Sequence, residues 1–121
     1  MQSSSMDRKT KGRLAEAKVI AYLIENEYEI YLPFSNNSKY DLICYKDGAI
    51  KRISIKFTSV KKLSGTWVVE MRQISRRNNH INIDKFDSSE YDLIAVYISP
   101  IDKVVLVDAI KATKLALYIK N

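Results

Sequence analysis

Three polar side chains in one short stretch could do chemistry together. Asp41, Ser54 and Lys56 lie in residues 40–62, YDLICYKDGAIKRISIKFTSVKK, where Asp47-Gly48 separates two runs of alternating apolar and polar residues. Asp-Gly readily adopts the positive φ angles of a two-residue hairpin turn, so this stretch predicts a β-hairpin. An acid, a hydroxyl and an ammonium that converge on one face of that hairpin could bind a cation and an anion together.

The turn fixes the register of the predicted hairpin. If Asp47 and Gly48 are the loop, Lys46 pairs with Ala49, and counting back places Asp41 opposite Ser54. Side chains alternate between faces, so Lys56 shares the face of Asp41 and is a diagonal neighbour at roughly 7 Å. In the simpler alternative, Asp41 only ends a strand and Lys56 extends into solvent, and such a pair contributes little to stability. The other face is expected to be apolar: Leu42, Cys44, Ile53, Ile55 and Phe57, with Cys44 as a small buried thiol.

A helix predicted from Asp7 or Thr10 to about Asn26 supplies a second acid. Helical spacing places Glu16 on an apolar stripe with Gly12, Val19, Ile20, Leu23 and Ile24. A carboxylate on such a face needs an ion pair, a hydrogen bond or a metal. The alternative is a glutamate at the edge of the stripe that reaches solvent or a lysine. Gly12 could allow close approach of another backbone or of a ligand.

The remaining segments predict a mixed β-sheet flanked by helices. The expected order is a helix, four strands, an optional helical turn, two strands and a helix, which indicates an α/β or α+β fold in a single domain over residues 7–121, after a disordered N-terminus at 1–6. The expected segments after the first helix are strands at 28–33, 66–71, 91–98 and 104–107, a basic loop at 74–82, a helical turn at 84–90 and an amphipathic helix at 109–119.

The net charge of +6 is concentrated in one part of the 121-residue chain. Residues 1–49 hold seven basic and seven acidic side chains, residues 50–83 hold eight against one, and residues 84–121 hold five against six. Clustered positive charge is typical of a nucleic-acid partner, although a solvated basic surface remains the alternative. Seven basic residues are candidates for DNA contact: Lys11, Arg13, Lys61, Lys62, Arg72, Arg76 and Arg77.

Hydropathy predicts neither a membrane span nor a secretory signal, because no apolar run approaches the roughly 20 residues that a spanning helix needs. We therefore expect no membrane association and a cytoplasmic protein, with a nucleoid-associated or viral protein inside a host cell as the alternative. His80, the only histidine, lies in the basic loop without a second histidine or a cysteine nearby. A phosphate contact or plain exposure is expected for His80.

The motifs and their order resemble the PD-(D/E)XK nuclease core. The likeness covers residues 10–108: a helix with glutamate after glycine, a strand that opens with YDLI, and a hairpin arm that ends in Ser-Ile-Lys followed by Thr58-Ser59. Small Holliday-junction resolvases and bacterial intron-encoded homing endonucleases are the most similar members. The resemblance implies a restriction-endonuclease-like core. It also implies that Asp41 is the metal-binding aspartate, Lys56 the catalytic lysine and Glu16 the acid of the first helix, with the Ile55 carbonyl as a further metal ligand.

Ser54 departs from that family pattern, which has Glu or Gln as a ligand at this position. A serine hydroxyl is short and uncharged, and it binds Mg²⁺ weakly unless a water completes the distance. Three alternatives remain: Ser54 acts through water, Glu70 on the next strand substitutes for the missing ligand, or the site is inactive.

The resemblance implies a Mg²⁺-dependent DNA endonuclease, in which Mn²⁺ could replace Mg²⁺. Its substrate would be duplex or branched DNA, and cutting both strands would require a homodimer or higher homo-oligomer. The alternatives are a DNA-binding module with a decayed nuclease site and a basic protein-interaction domain without affinity for DNA.

Overall fold

The computed structural model describes residues 6–120, and of Arg77 it describes the backbone alone. Within this part of the chain, one long helix is followed by ten strands and three short 3₁₀ turns. The helix α1 spans Arg8–Glu25, and the strands are β1 Glu29–Tyr31, β2 Leu42–Lys46, β3 Ala49–Thr58, β4 Val60–Lys61, β5 Trp67–Glu70, β6 Gln73–Arg77, β7 His80–Asp84, β8 Leu93–Ile98, β9 Lys103–Asp108 and β10 Ala116–Ile119. No helix in this range is long and apolar enough to cross a membrane.

A mixed five-stranded sheet in the order β1-β2-β3-β8-β9 forms the centre of the fold. Strands β3 and β8 run parallel, and the other neighbours are antiparallel. The sequence LIAVYI of β8 is almost entirely buried, as expected for a strand covered on both faces. The α+β class and the central mixed sheet are therefore confirmed.

The predicted hairpin forms β2 and β3 with the expected turn. Asp47 and Gly48 have φ angles of 51° and 82°, and Lys46 pairs with Ala49. The paired ladder ends at Leu42 and Ile53, one position before the predicted pair of Asp41 with Ser54. The backbone N–H of Asp41 instead donates to the Ile53 carbonyl at 2.9 Å.

Helix α1 covers one face of the central sheet. Its side-chain cap is Asp7, whose carboxylate accepts from the Thr10 N–H at 2.8 Å. Ala15, Val19 and Leu23 are its buried residues, spaced by four. The last two pack in one cluster with the apolar face of the hairpin and with β8: Leu42, Cys44, Ile53 and Ala95. Cys44 is a fully buried thiol, as predicted.

The predicted helix stripe is confirmed at Val19 and Leu23 and is wrong at Glu16 and Ile24. Glu16 is exposed, because the neighbouring Ala15 takes the inward position. Ile24, also assigned to the stripe, is 61% exposed. A side chain at Gly12 would meet no atom within 4 Å, so no other backbone of the described chain approaches this glycine.

A second, three-stranded sheet in the order β10-β5-β4 covers the other face of the central sheet. Trp67, Val69 and Leu117 pack there in one cluster with Ile94 and Val96. The fold is thus a helix, a central sheet and a small sheet in three layers.

The amphipathic helix predicted at 109–119 is wrong. The segment is a 3₁₀ turn, Ala109–Lys111, followed by β10. The Thr113 hydroxyl accepts from the N–H groups of Leu115 and Ala116, at 3.2 and 2.9 Å, so a local turn replaces the helical hydrogen bonds. Leu117 then meets Val69 in an antiparallel pair.

The basic loop predicted at 74–82 is a second hairpin. Strands β6 and β7 pair through the two-residue turn Asn78-Asn79, whose φ angles are 51° and 66°. Asparagine tolerates this left-handed conformation better than most residues do. Of the helical turn expected at 84–90, the part Ser88–Glu90 forms a 3₁₀ turn, while Asp84 is the last residue of β7.

One ion pair fastens β3 to the start of β8. The Asp92 carboxylate accepts from the Arg52 backbone N–H at 2.8 Å and from its guanidinium at 3.1 and 3.3 Å. These contacts hold the pKa of the Asp92 carboxyl below its usual range, with the guanidinium hydrogen bond as the largest cause. The stability they contribute is present above the ordinary aspartate pKa and is lost as the pH falls through the lowered value.

We expect Asp92→Ala to destabilise the protein by about 1–2 kcal/mol at neutral pH, since charged hydrogen bonds are lost from a half-buried site. Urea unfolding would measure the loss, and the difference from the wild type should shrink as the solution is acidified. Asp108→Ala is the control, because Asp108 is an exposed carboxylate without an ion pair in the described chain. Equal stability of Asp92→Ala and the wild type would contradict this role.

Candidate active site

The Asp41 side chain takes the place of a backbone hydrogen-bond partner just before β2 begins. Beyond the pair of Leu42 with Ile53, strand β3 continues without β2 beside it. The Asp41 Oδ2 atom accepts from the Ile55 N–H at 2.7 Å and so satisfies a donor that the ladder would otherwise have paired. The carboxylate is thereby held at a fixed distance from β3.

The Ile55 carbonyl points to the same side of β3 as Asp41. In an extended strand the N–H and C=O of one residue face the same neighbour. Because the Ile55 N–H donates to Asp41, its carbonyl also faces that side and not β8. The structure therefore brings together the two predicted oxygen ligands of Asp41 and Ile55.

A cleft of about 1020 Å³ opens at this end of the central sheet. It lies between the first turns of α1, the 37–39 loop, the end of β5 and the base of β6 and β7. Asp41, Ser54, Ile55 and Lys56 all line it. Its charged lining consists of Arg8, Lys11, Lys39, Lys56, Arg72 and Lys85 against Asp41, Glu70, Asp84, Asp87 and Glu90.

Ser54 and Lys56 lie on the face of β3 that is turned away from α1, because Ile53 and Ile55 pack on the helix side. Ser54 is buried and Lys56 is half-buried. Burial lowers the pKa of the Lys56 ammonium below its ordinary value, while the nearby charges of Asp41 and Glu70 act in the opposite direction. The predicted convergence of the aspartate, the hydroxyl and the lysine is thus present at the cleft.

The pKa of the Asp41 carboxyl is raised above its ordinary value. Removal from water by the surrounding protein is the main cause, although the residue remains accessible from the cleft. The Ile55 N–H and the Lys56 charge oppose this rise, and the negative charge of Glu16 adds to it. The pKa values of Asp41 and Lys56 are therefore both shifted in the direction that favours the neutral form, which is common for groups at reactive sites.

Glu16 approaches the site from the helix side without lining the cleft. Its side chain is exposed on α1, one turn after Gly12, which does line the cleft. The negative charge of Glu16 is the smallest of the causes given above for the shifted pKa of the Asp41 carboxyl. The structure does not confirm the predicted burial of Glu16, and its function as a ligand stays a prediction.

Glu70 lines the same cleft but is bound by Arg72. The guanidinium donates to both carboxylate oxygens at 2.8 Å, and the Arg72 backbone N–H donates at 2.9 Å. The guanidinium hydrogen bond is the largest cause that lowers the pKa of Glu70 to about 2. Glu70 is ionised at neutral pH, but its charge is already used in this ion pair.

The other predicted DNA-contacting residues are spread over several surfaces. Lys11 lies at the cleft, 5.7 Å from the centre of the Phe57 ring, whereas Arg13 is exposed on α1 and does not line the cleft. Lys61 and Lys62 lie over the Trp67 and Tyr118 rings, at 5.1 and 4.5 Å. Arg76 is exposed on β6, and the side chain of Arg77 lies outside the described part of the structure.

Three basic residues of the cleft were missed from the sequence. Arg8, Lys39 and Lys85 line it, and Lys39 pairs with Glu90 at 2.5 Å. The spacing of Arg8 and Lys11, three apart on one helix, was the available signal for the first of these. Lys39 and Lys85 lie far apart in the sequence from each other and from α1, so local spacing does not connect them.

The oxygen atoms at Asp41 suit a hard divalent cation. Oδ1 of Asp41 accepts no hydrogen bond from another described residue, and the Ile55 carbonyl faces the same side. No group of three or more His, Cys, Asp or Glu side chains in residues 6–120 is arranged to hold a metal. Such a small set of protein oxygens fits Mg²⁺, which usually keeps several waters and takes one or two carboxylates.

We expect the carboxyl of Asp41 to titrate above the ordinary aspartate pKa in a carbon-detected NMR titration. Glu16→Gln should lower this pKa, because a neighbouring negative charge is removed. Lys56→Met should raise it, because a positive charge is removed. Glu25→Gln, an exposed glutamate near the other end of α1, is the control and should leave it unchanged; an unchanged Asp41 pKa in Glu16→Gln would separate Glu16 from this site.

Comparisons with known proteins identify the fold and the family of the chain. The structure of a bacterial homing endonuclease, I-Ssp6803I, matches with a TM-score of 0.76 at 16% sequence identity, over 96% of this chain and 80% of that one. This likeness shows a shared fold. The comparison with curated proteins finds no significant match. The model of the PD-(D/E)XK endonuclease family matches residues 6–120. The chain therefore belongs to the PD-(D/E)XK endonuclease family.

Proposed function

We propose that this protein is a Mg²⁺-dependent DNA endonuclease that hydrolyses phosphodiester bonds in the cleft at Asp41. The observation that carries the proposal is the Asp41 carboxylate, held by the Ile55 N–H beside Lys56. Membership of an endonuclease family and the fold shared with a homing endonuclease support it. A junction-resolving activity is the alternative within the same chemistry.

Asp41 and the Ile55 carbonyl would hold the metal, and Glu16 would be a further metal ligand from the helix side. Mg²⁺ bound there would lower the pKa of a water and neutralise charge on the phosphate, and Mn²⁺ could replace it. Asp41 needs to be ionised to bind a cation. The Lys56 charge favours that form, and a metal would favour it further.

Lys56 would orient the attacking water or stabilise charge on the scissile phosphate. Its side chain is half-buried and its ammonium senses the charges of Asp41 and Glu70, so its hydration is incomplete. A donor that is already desolvated needs little rearrangement when negative charge develops near it. Arg8, Lys11 and Lys85 at the cleft would attract the flanking phosphates.

Ser54 would act through a water molecule. The competing substitute, Glu70, is occupied by two guanidinium bonds and a backbone bond from Arg72, so metal binding by Glu70 would first have to break them. Ser54 is buried next to Ile55 on β3 and lines the cleft. These contacts favour Ser54 over Glu70 as the neighbour of the metal.

We expect the purified protein to cut supercoiled plasmid or a four-way DNA junction in Mg²⁺ and to leave both intact in EDTA. Asp41→Ala and Lys56→Ala should lower the cleavage rate at least about 100-fold, since charge stabilisation and metal binding contribute several kcal/mol. Lys51→Ala is the matched control, because Lys51 is an exposed lysine of the same strand outside the cleft lining.

A DNA-binding module with a decayed site is the second candidate, and the absence of Glu or Gln at position 54 favours it. It predicts normal DNA retention on a gel without cleavage in any metal. A protein-interaction domain would show neither retention nor a steep salt dependence. Cleavage that survives Asp41→Ala would contradict the proposed site.

Two variants compare Ser54 with Glu70. If Ser54 acts through water, Ser54→Ala should raise the Mg²⁺ concentration for half-maximal cleavage about 10-fold, as expected for loss of an outer-shell contact. Glu70→Gln should change it little. Calorimetry with Ca²⁺ gives a readout independent of cleavage, and Ser54→Glu should bind Ca²⁺ more tightly. The opposite order of effects would assign the function to Glu70.

Cleavage of both DNA strands needs two sites, and one chain of this family has one. We therefore propose a homodimer or a higher homo-oligomer in which two clefts act on opposite strands.

A further inference from the structure

The hairpin of β6 and β7, called the ribbon below, projects from the edge of the cleft. Its strands pair with each other and with no other strand of the described chain. Every residue from Gln73 to Lys85 whose side chain is described is exposed. No described side chain of the ribbon is therefore part of the protein core.

Both ends of the ribbon are firmly anchored. Met71 and Phe86, which flank it, are buried in the core between the two sheets. The Met71 N–H donates to the Leu115 carbonyl at 3.1 Å, and the Phe86 N–H donates to the Lys114 carbonyl at 3.0 Å. The two ends of the ribbon are thus fixed to the core, while the described side chains of the ribbon are exposed to solvent.

The register gives the ribbon two chemically different faces. Residues directly opposite in an antiparallel pair share a face. Gln73 pairs with Asp84 and Ser75 with Asn82, and His80 follows on the same side of β7, so the described side chains of this face are all polar. The pairs Ile74 with Ile83 and Arg76 with Ile81 form the other face, where the three isoleucines are 39–58% exposed.

The dimensions and side chains suit the major groove of DNA. Five residues per strand at about 3.3 Å each give a ribbon of about 17 Å. A two-stranded ribbon fits the major groove, which is about 12 Å wide, and is too broad for the minor groove of about 6 Å. The amides of Gln73 and Asn82 are side chains that pair with adenine edges, and a serine hydroxyl can serve any base.

The position of the ribbon next to the cleft links groove contact to cleavage. Its base residues Gln73, Ile74 and Asp84 line the same cleft as Asp41 and Lys56. A phosphate in the cleft would therefore lie beside the groove that the ribbon enters. Arg76 on the ribbon and Lys85 at its end add positive charge for the backbone on either side.

We propose that the ribbon enters the major groove with its polar face toward the bases, so that this protein recognises a DNA sequence and not only a DNA shape. The inference rests on the proposed action on DNA. It assigns base reading to Gln73, Ser75 and Asn82, which the nuclease site itself does not use.

The test uses the full chain carrying Lys56→Ala in Ca²⁺, so that DNA is bound without being cut, and a pool of duplexes with about 20 random base pairs. Repeated rounds of retention and sequencing should yield a consensus. The double variant Ser75→Ala, Asn82→Ala should lose about 10- to 100-fold of its preference for one or two adjacent base pairs, as a lost bidentate contact implies. Its affinity for unselected DNA and its salt dependence should stay unchanged.

The matched control is Ile81→Thr, Ile83→Thr, two exposed isoleucines of β7 on the other face and outside the cleft lining, and threonine keeps branched side chains in the strand. It should retain the consensus, and thermal unfolding would verify that both double variants are folded. A pool without a consensus, or a consensus unchanged by Ser75→Ala, Asn82→Ala, would overturn the inference. So would loss of oligomerisation by the isoleucine variant together with an unchanged consensus in the polar variant, because the ribbon would then be a self-association surface.

The two proposals fail separately. A clear consensus without Mg²⁺-dependent cleavage by the wild type would retain the ribbon and reject the nuclease. Cleavage without a consensus would retain the nuclease and reject the ribbon.

Discussion

The hydrogen bond from the Ile55 N–H to the Asp41 carboxylate is the contact on which the cleft depends. A β-ladder that ends inside a sheet leaves backbone groups that must find partners, because an unpaired polar group away from water is costly. Here the side chain of the residue just before β2 supplies one partner. The same arrangement leaves the Ile55 carbonyl facing the cleft. The end of the ladder therefore presents the oxygen atoms of Asp41 and Ile55 on the same side of β3.

The charges of the site are balanced against one another. Burial shifts both Asp41 and Lys56 toward their neutral forms, and each partly restores the charge of the other. Glu70 lies near Lys56 as well, but Arg72 already neutralises it. The charge of Asp41 is therefore incompletely compensated, and this is the property that a cation-binding group requires.

The sequence predicted the elements whose local pattern and burial agree. Asp47-Gly48 determined the turn and the register of β2 and β3, and the apolar run of β8 indicated a strand covered on both faces. The cluster of Asp41, Ser54 and Lys56 followed from that register alone. These interactions are short in sequence, so the turn chemistry and the side-chain period are sufficient to define them.

The errors occur where long-range contacts decide. Periodicity at 109–119 suited a helix, but the Thr113 turn and pairing with β5 produced a strand. The helical spacing assigned Glu16 to the buried stripe, although Ala15 is the residue that faces inward. Exposure on both faces removed the usual alternation from β6 and β7, so only Asn78-Asn79 indicated their turn. The binding of Glu70 by Arg72 depends on a bend after β5 that composition does not reveal.

The anchoring of Met71 and Phe86 on the chain near β10 has an evolutionary consequence. A segment that connects two core strands can usually diverge in sequence and length only if its two ends stay fixed. Here two backbone hydrogen bonds and two buried side chains fix those ends, and the central sheet does not include what lies between them, while the base of the ribbon lines the cleft. Lineages could thus exchange, shorten or lengthen the outer part of the ribbon as an independent module while the central sheet and Asp41 stay unchanged.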